Sequence, residues 1–171
     1  SLLRVLGVVG GDDALDVVVD ATRNTNGEIR QAAVRVLAVW ESPAAVEPLW
    51  HIVRDPGSER EQIMALRGYI TLAATQEPHA KAVSALAKAM EAAERTDEQR
   101  MVLGKLASLG CGEALDVAAK HLAGEDLKAQ AAMACRKIVP ALNKAEARKR
   151  ADLLKRFAAG DDEPLAKAAE Q

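Results

Sequence analysis

Five basic side chains, Arg4, Arg35, Arg67, Lys105 and Lys137, recur at intervals of 31 to 38 residues along this 171-residue chain. In a helical pattern that repeats with the same spacing, each stands just ahead of the residue equivalent to Val36. One cation per structural unit makes a charged column. Its chemistry suits the carboxylates of an acidic peptide, a carboxylate-bearing ligand or a phosphate. The alternative is that each cation pairs with an Asp or Glu of its own or the next unit. Exposed pairs of that kind contribute only about 0–1 kcal/mol. Lys137 depends on the shift chosen for the last helix, since a shift one turn shorter puts Met133 there.

Other reactive side chains do not converge. His51, His79 and His121 fall in or beside three separate helices, and none is followed by Glu. Cys111 and Cys135 make neither a disulfide framework nor a metal-ligand pair. Cys111 stands at a glycine-flanked helix start, where a thiolate is favoured, whereas Cys135 lies in a core position. There is no Gly-rich phosphate loop, Ser-centred elbow or metal-ligand spacing. The expectation is no catalytic residue, no metal and no cofactor.

The elements that would carry the column follow from apolar periodicity. Leu15, Val18, Val19 and Thr22 have the i, i+3, i+4, i+7 spacing of a helix face. Val46–Leu49–Trp50–Val53, Val83–Leu86–Ala87–Met90 and Leu115–Ala118–Ala119–Leu122 repeat it, giving four outer helices. A second stripe, Ile29, Ala32, Ala33, Val36, Leu37 and Trp40, returns at shifts of −31, 32, 70 and 102, giving five inner helices. Glu61 and Gln99 interrupt it where other units are apolar. Turn residues separate the segments, among them Asn24-Thr25-Asn26-Gly27 and Gly110-Cys111-Gly112. Ser58 with Glu61 and Thr96 with Gln99 have capping-box spacing, and Pro43 suits a first helical turn. Trp40, Trp50 and Tyr69 occupy core positions.

Two-helix units that cannot bury their apolar faces alone must stack, so the pattern predicts an all-α, right-handed solenoid of about four and a half repeats over 1–143. A more charged segment, 144–171, follows. Lys144, Arg148, Lys149, Arg150, Lys155 and Arg156 outnumber Glu146 and Asp152, and Leu153, Leu154 and Phe157 give an apolar side. This reads as a basic capping helix and tail. A helix lying on lipid head groups or nucleic acid is the alternative, weakened by Asp161, Asp162 and Glu163.

Hydrophobic residues make up 49% of the chain but aromatics only 2%, so packing relies on Ala, Val and Leu. Charged residues are 28% with a net charge of −2, which argues against a dedicated nucleic-acid binder. No apolar run reaches the 18 or so residues of a membrane span.

The stretch Glu28-Ile29-Arg30-Gln31-Ala32-Ala33 after its Asn/Gly turn, the turn Asp55-Pro56-Gly57 and the dipeptide Leu127-Lys128 resemble HEAT repeats of the phycobilin-lyase type. The resemblance covers roughly residues 1–142 and implies a scaffold. It leads us to expect a non-catalytic module of a larger multidomain protein that binds an acidic protein or peptide on its concave face. Further repeats or another domain would precede the first helix, whose outer partner is missing. HEAT-like hydroxylases carry His-Glu iron ligands and HEAT-like glycosylases a basic, aromatic groove; this chain shows neither. An enzyme acting on nucleic acid or a protein side chain, and a purely structural spacer, are the alternatives.

Overall fold

The computed structural model describes residues 2–158, with side chains through residue 155. Helices α1 (Leu2–Val9), α2 (Asp12–Ala21), α3 (Gly27–Leu37), α4 (Val46–Arg54), α5 (Glu59–Ala73) and α6 (His79–Ala92) are followed by α7 (Thr96–Leu109), α8 (Gly112–Ala119), α9 (Lys128–Ile138), α10 (Lys144–Lys149) and α11 (Ala151–Ala158). No strand occurs among the described residues, and no helix there is long and apolar enough to cross a membrane.

The helices form two rows. The inner helices α1, α3, α5, α7 and α9 each pack on the next, and α2, α4, α6 and α8 each pack on the inner helix that follows. The chain is thus an all-α solenoid. Between the outer helices, a groove of about 480 Å3 opens between α2 and α4 and one of about 430 Å3 between α4 and α6, whereas α6 packs on α8. The inner row is the more closely packed of the two.

Small side chains set that tight spacing. A Cβ on Gly68 of α5 would lie 2.6 Å from the Cα and 2.7 Å from the carbonyl oxygen of Ala38, just past α3. The continuous core is Ala, Val and Leu, with Trp40 and Tyr69 buried in it. Trp50 is half-buried, its ring centroid 4.9 Å from that of Tyr69. Burial and the Glu47 carboxylate push the Tyr69 hydroxyl up to about 12.

Caps end the helices where turn chemistry allows. Ser58 accepts from the Glu61 N–H, Ser42 accepts from Ala44 ahead of Pro43, and Asn26 accepts from Glu28. Two sequence expectations need correction. Thr96 is the first residue of α7 rather than its cap, and the Gln99 amide instead donates to the Ala93 carbonyl. The Glu61 side chain turns away from its own N-cap toward α3. The full capping box lies at Asn143 and Glu146, which exchange side-chain-to-backbone bonds at the start of α10.

The charged segment forms two helices, broken at Arg150. The Arg150 guanidinium reaches back to Asp116 of α8 at 2.6 and 2.8 Å, and Glu146 accepts from the Gly112 N–H. Leu154 is buried. The side chains of Arg156 and Phe157, and residues Asp161, Asp162 and Glu163, lie outside the described residues.

Candidate partner-binding surface

Burial patterns fix the register of the inner helices better than apolarity alone. The buried set Ala33, Val34, Val36 and Leu37 of α3 maps onto Ala65, Leu66, Gly68 and Tyr69 of α5 at an offset of 32. From α5 to α7 the offset is 37: Glu61, Ala65, Leu66, Tyr69 and Leu72 map onto Glu98, Val102, Leu103, Leu106 and Leu109, all buried. From α7 to α9 it is 32 again, taking Val102, Leu103, Leu106 and Ala107 to Ala134, Cys135, Ile138 and Val139.

This places the five cations. Arg4, Arg35 and Arg67 share one exposed register on α1, α3 and α5. On α7 that register holds Gly104, and on α9 it holds Arg136. Lys105 and Lys137 are therefore one residue further round than the apolar alignment puts them. Lys105 is half-buried and Lys137 exposed.

Two shallow grooves run between inner helices. Arg35 of α3 and Arg67 of α5 line the first, about 270 Å3, over a floor of Ala38, Met64, Gly68 and Met101. Val39, 77% exposed, stands beside them. Arg100 of α7 and Lys137 of α9 line the second, about 240 Å3, with Leu103, Gly104, Met133 and Ala134. Three residues of the predicted column thus reach two neighbouring grooves; Arg4 and Lys105 line neither.

The cations differ in what holds them. Arg67 donates from Nε to Glu98 at 2.8 Å, with its Nη2 2.6 Å from the same oxygen, and Arg95 adds a contact at 3.7 Å. Glu98 is only 1% exposed, so Arg67 compensates a buried carboxylate at the start of α7. Arg30 does the same for Glu61, 3% exposed, at 3.1 and 3.2 Å. The paired reading of the column thus describes Arg67. Arg4, Arg35, Lys105 and Lys137 form no ion pair among the described residues. Arg35 makes one side-chain hydrogen bond among the described residues, donating to the Gln31 amide oxygen at 3.5 Å.

Glu61 and Glu98 were not legible as partners. Their signal is an acid at the third helical position interrupting an apolar stripe. Cys111 departs from expectation too: it precedes α8, but burial and the carboxylates of Glu113 and Glu146 push its thiol up. Burial pushes the Cys135 thiol up to about 11. No group of three or more His, Cys, Asp or Glu among the described residues is placed to hold a metal ion.

Residues 1–67, from α1 to the middle of α5, match the family model described as HEAT repeats. No curated protein matches the chain.

Proposed function

We propose that this HEAT-like repeat solenoid is a non-catalytic module that binds an acidic protein or peptide along its concave inner face. HEAT repeats commonly mediate protein interactions or scaffolding, and the family is generally non-enzymatic. The observation that carries the finer reading is the pair of inner-face grooves, each with two cations on its margin and an apolar floor. Arg35 and Lys137 hold their charge toward solvent without an internal acid, so an incoming carboxylate displaces only water.

The first helix supports a larger assembly. Leu2, Val5 and Val9 of α1 are exposed, although they stand where α3 and the turn after it bury Ala33, Val36 and Trp40. A further repeat or domain of the same chain would cover them, and the basic segment from Lys144 onward would serve as the cap of the other end.

Capture from a lysate of the source organism tests the reading, with the native chain and an Arg35→Glu/Lys137→Glu variant as baits. Arg67 is left native, because reversing it would set a second acid against buried Glu98. An acidic partner held by the native bait and lost with the variant is the expected result. Equal retention by both baits would refute the cationic face.

A further inference from the structure

Three of the four methionines stand in one register on successive inner helices. The offsets of 37 and 32 that align burial carry Met64 of α5 to Met101 of α7, and Met101 to Met133 of α9. The fourth, Met90, is buried in the core. The column is not: Met64 and Met101 are half-buried and Met133 is 65% exposed. A core made of Ala, Val and Leu does not need an unbranched side chain held half in water three times over. Thioethers are flexible and polarizable, and they adapt to the shape of an apolar partner.

The surroundings add charge of one sign. Arg35 and Arg67 border the groove over Met64 and Met101, and Arg100 and Lys137 border the one containing Met133. Arg100 has only a loose, exposed contact with Asp97 at 3.9 Å. With Arg67 held by Glu98, the free positive charge along this soft apolar line comes from Arg35 and Lys137.

We propose that this methionine column is the docking line for an acidic amphipathic helix supplied by a partner protein. The inference rests on the binding reading above and specifies its ligand. Packed helices lie about 8–10 Å apart, so successive methionines are separated by roughly that distance. A partner helix rising about 1.5 Å per residue meets them about every five to seven residues, and at a spacing of seven they share one face. An extended strand would meet them about every two to three residues, and at a spacing of three alternate anchors turn to opposite sides. Apolar residues at heptad spacing contact the methionines, and Asp or Glu beside them meets the cations.

The test uses two synthetic acidic peptides of about 20 residues and identical composition, titrated against the whole chain by fluorescence anisotropy. One carries Leu at every seventh position among Glu and Ala; in the other the Leu residues are spread around the helix. The heptad peptide should bind at least about tenfold more tightly, the effect of losing one buried apolar anchor. Met133→Glu should cost the heptad peptide a comparable factor with an unchanged circular dichroism spectrum, since that side chain is exposed. Equal binding of the two peptides would overturn the column and leave a purely electrostatic acidic ligand standing. Failure of both to bind would overturn the column as well, while the lysate comparison decides the broader reading on its own.

Discussion

Replacing Gly68 by Ala and Gly104 by Ala should shift stability in opposite directions, although both glycines lie inside inner helices. Alanine gains about 0.8–1 kcal/mol over glycine in a helix interior from backbone entropy alone. At Gly104 nothing lies within 4 Å of the new Cβ, so the gain is retained. At Gly68 the Cβ falls 2.6 Å and 2.7 Å from backbone atoms of Ala38, which cannot rotate away as a side chain would. The two helices must separate, and overpacking of this kind costs about 1–3 kcal/mol or more. The net expectation is a loss of up to about 2 kcal/mol for Gly68→Ala and a gain of about 1 kcal/mol for Gly104→Ala. At about 2–4 °C per kcal/mol for a chain of this size, the two melting temperatures should diverge by several degrees. Thermal unfolding followed by circular dichroism reads both. A rise in Tm for Gly68→Ala equal to that for Gly104→Ala would show that α3 and α5 are not in backbone contact there.

Two further outcomes follow from the titratable groups. N–H bonds from Gly112 and Asn143 hold the Glu146 carboxyl below its ordinary value of 4.5. A folded-state pKa that is depressed contributes stability above the unfolded value and loses it as pH falls through the folded one. Exchange protection of the Gly112 amide should therefore persist down to the ordinary carboxylate range and fall below it, and Glu146→Gln should abolish that dependence. For the thiols, both raised, reaction with a disulfide reagent at pH 8 should be slower than for a free thiol and should speed up on unfolding. Faster-than-free labelling of Cys111 would contradict the placement of Glu113 and Glu146 around it.

The solenoid was legible because the outer and inner helices carry apolar stripes and their joints carry turn residues. Residues such as Leu49, Leu86 and Leu115 repeat in outer positions that burial reproduces. The inner surface was less so, for a physical reason. An apolar stripe of paired positions, such as Val102-Leu103 and Leu106-Ala107, fits its neighbour at either of two offsets one residue apart. Matching by apolarity discards the buried acids, yet Glu61 and Glu98 fix the offset because each sits on the third residue of its helix. The slip moved Lys105 into the place of Gly104 and hid the alignment of Met64 with Met101. Partners such as Arg30 and Arg67 come from the preceding inner helix, beyond the reach of periodicity within one helix.

The two arginine–glutamate contacts also bear on how the molecule yields to force. Apolar contacts between helix faces are non-directional, so a stack held by them alone tolerates small shifts more readily than one tied by ion pairs. Arg30–Glu61 and Arg67–Glu98 instead join α3 to α5 and α5 to α7 through acids that cannot be left bare, and such joints resist sliding. The central three inner helices should move as a single stiff link, with the bending of the solenoid taken up toward its ends.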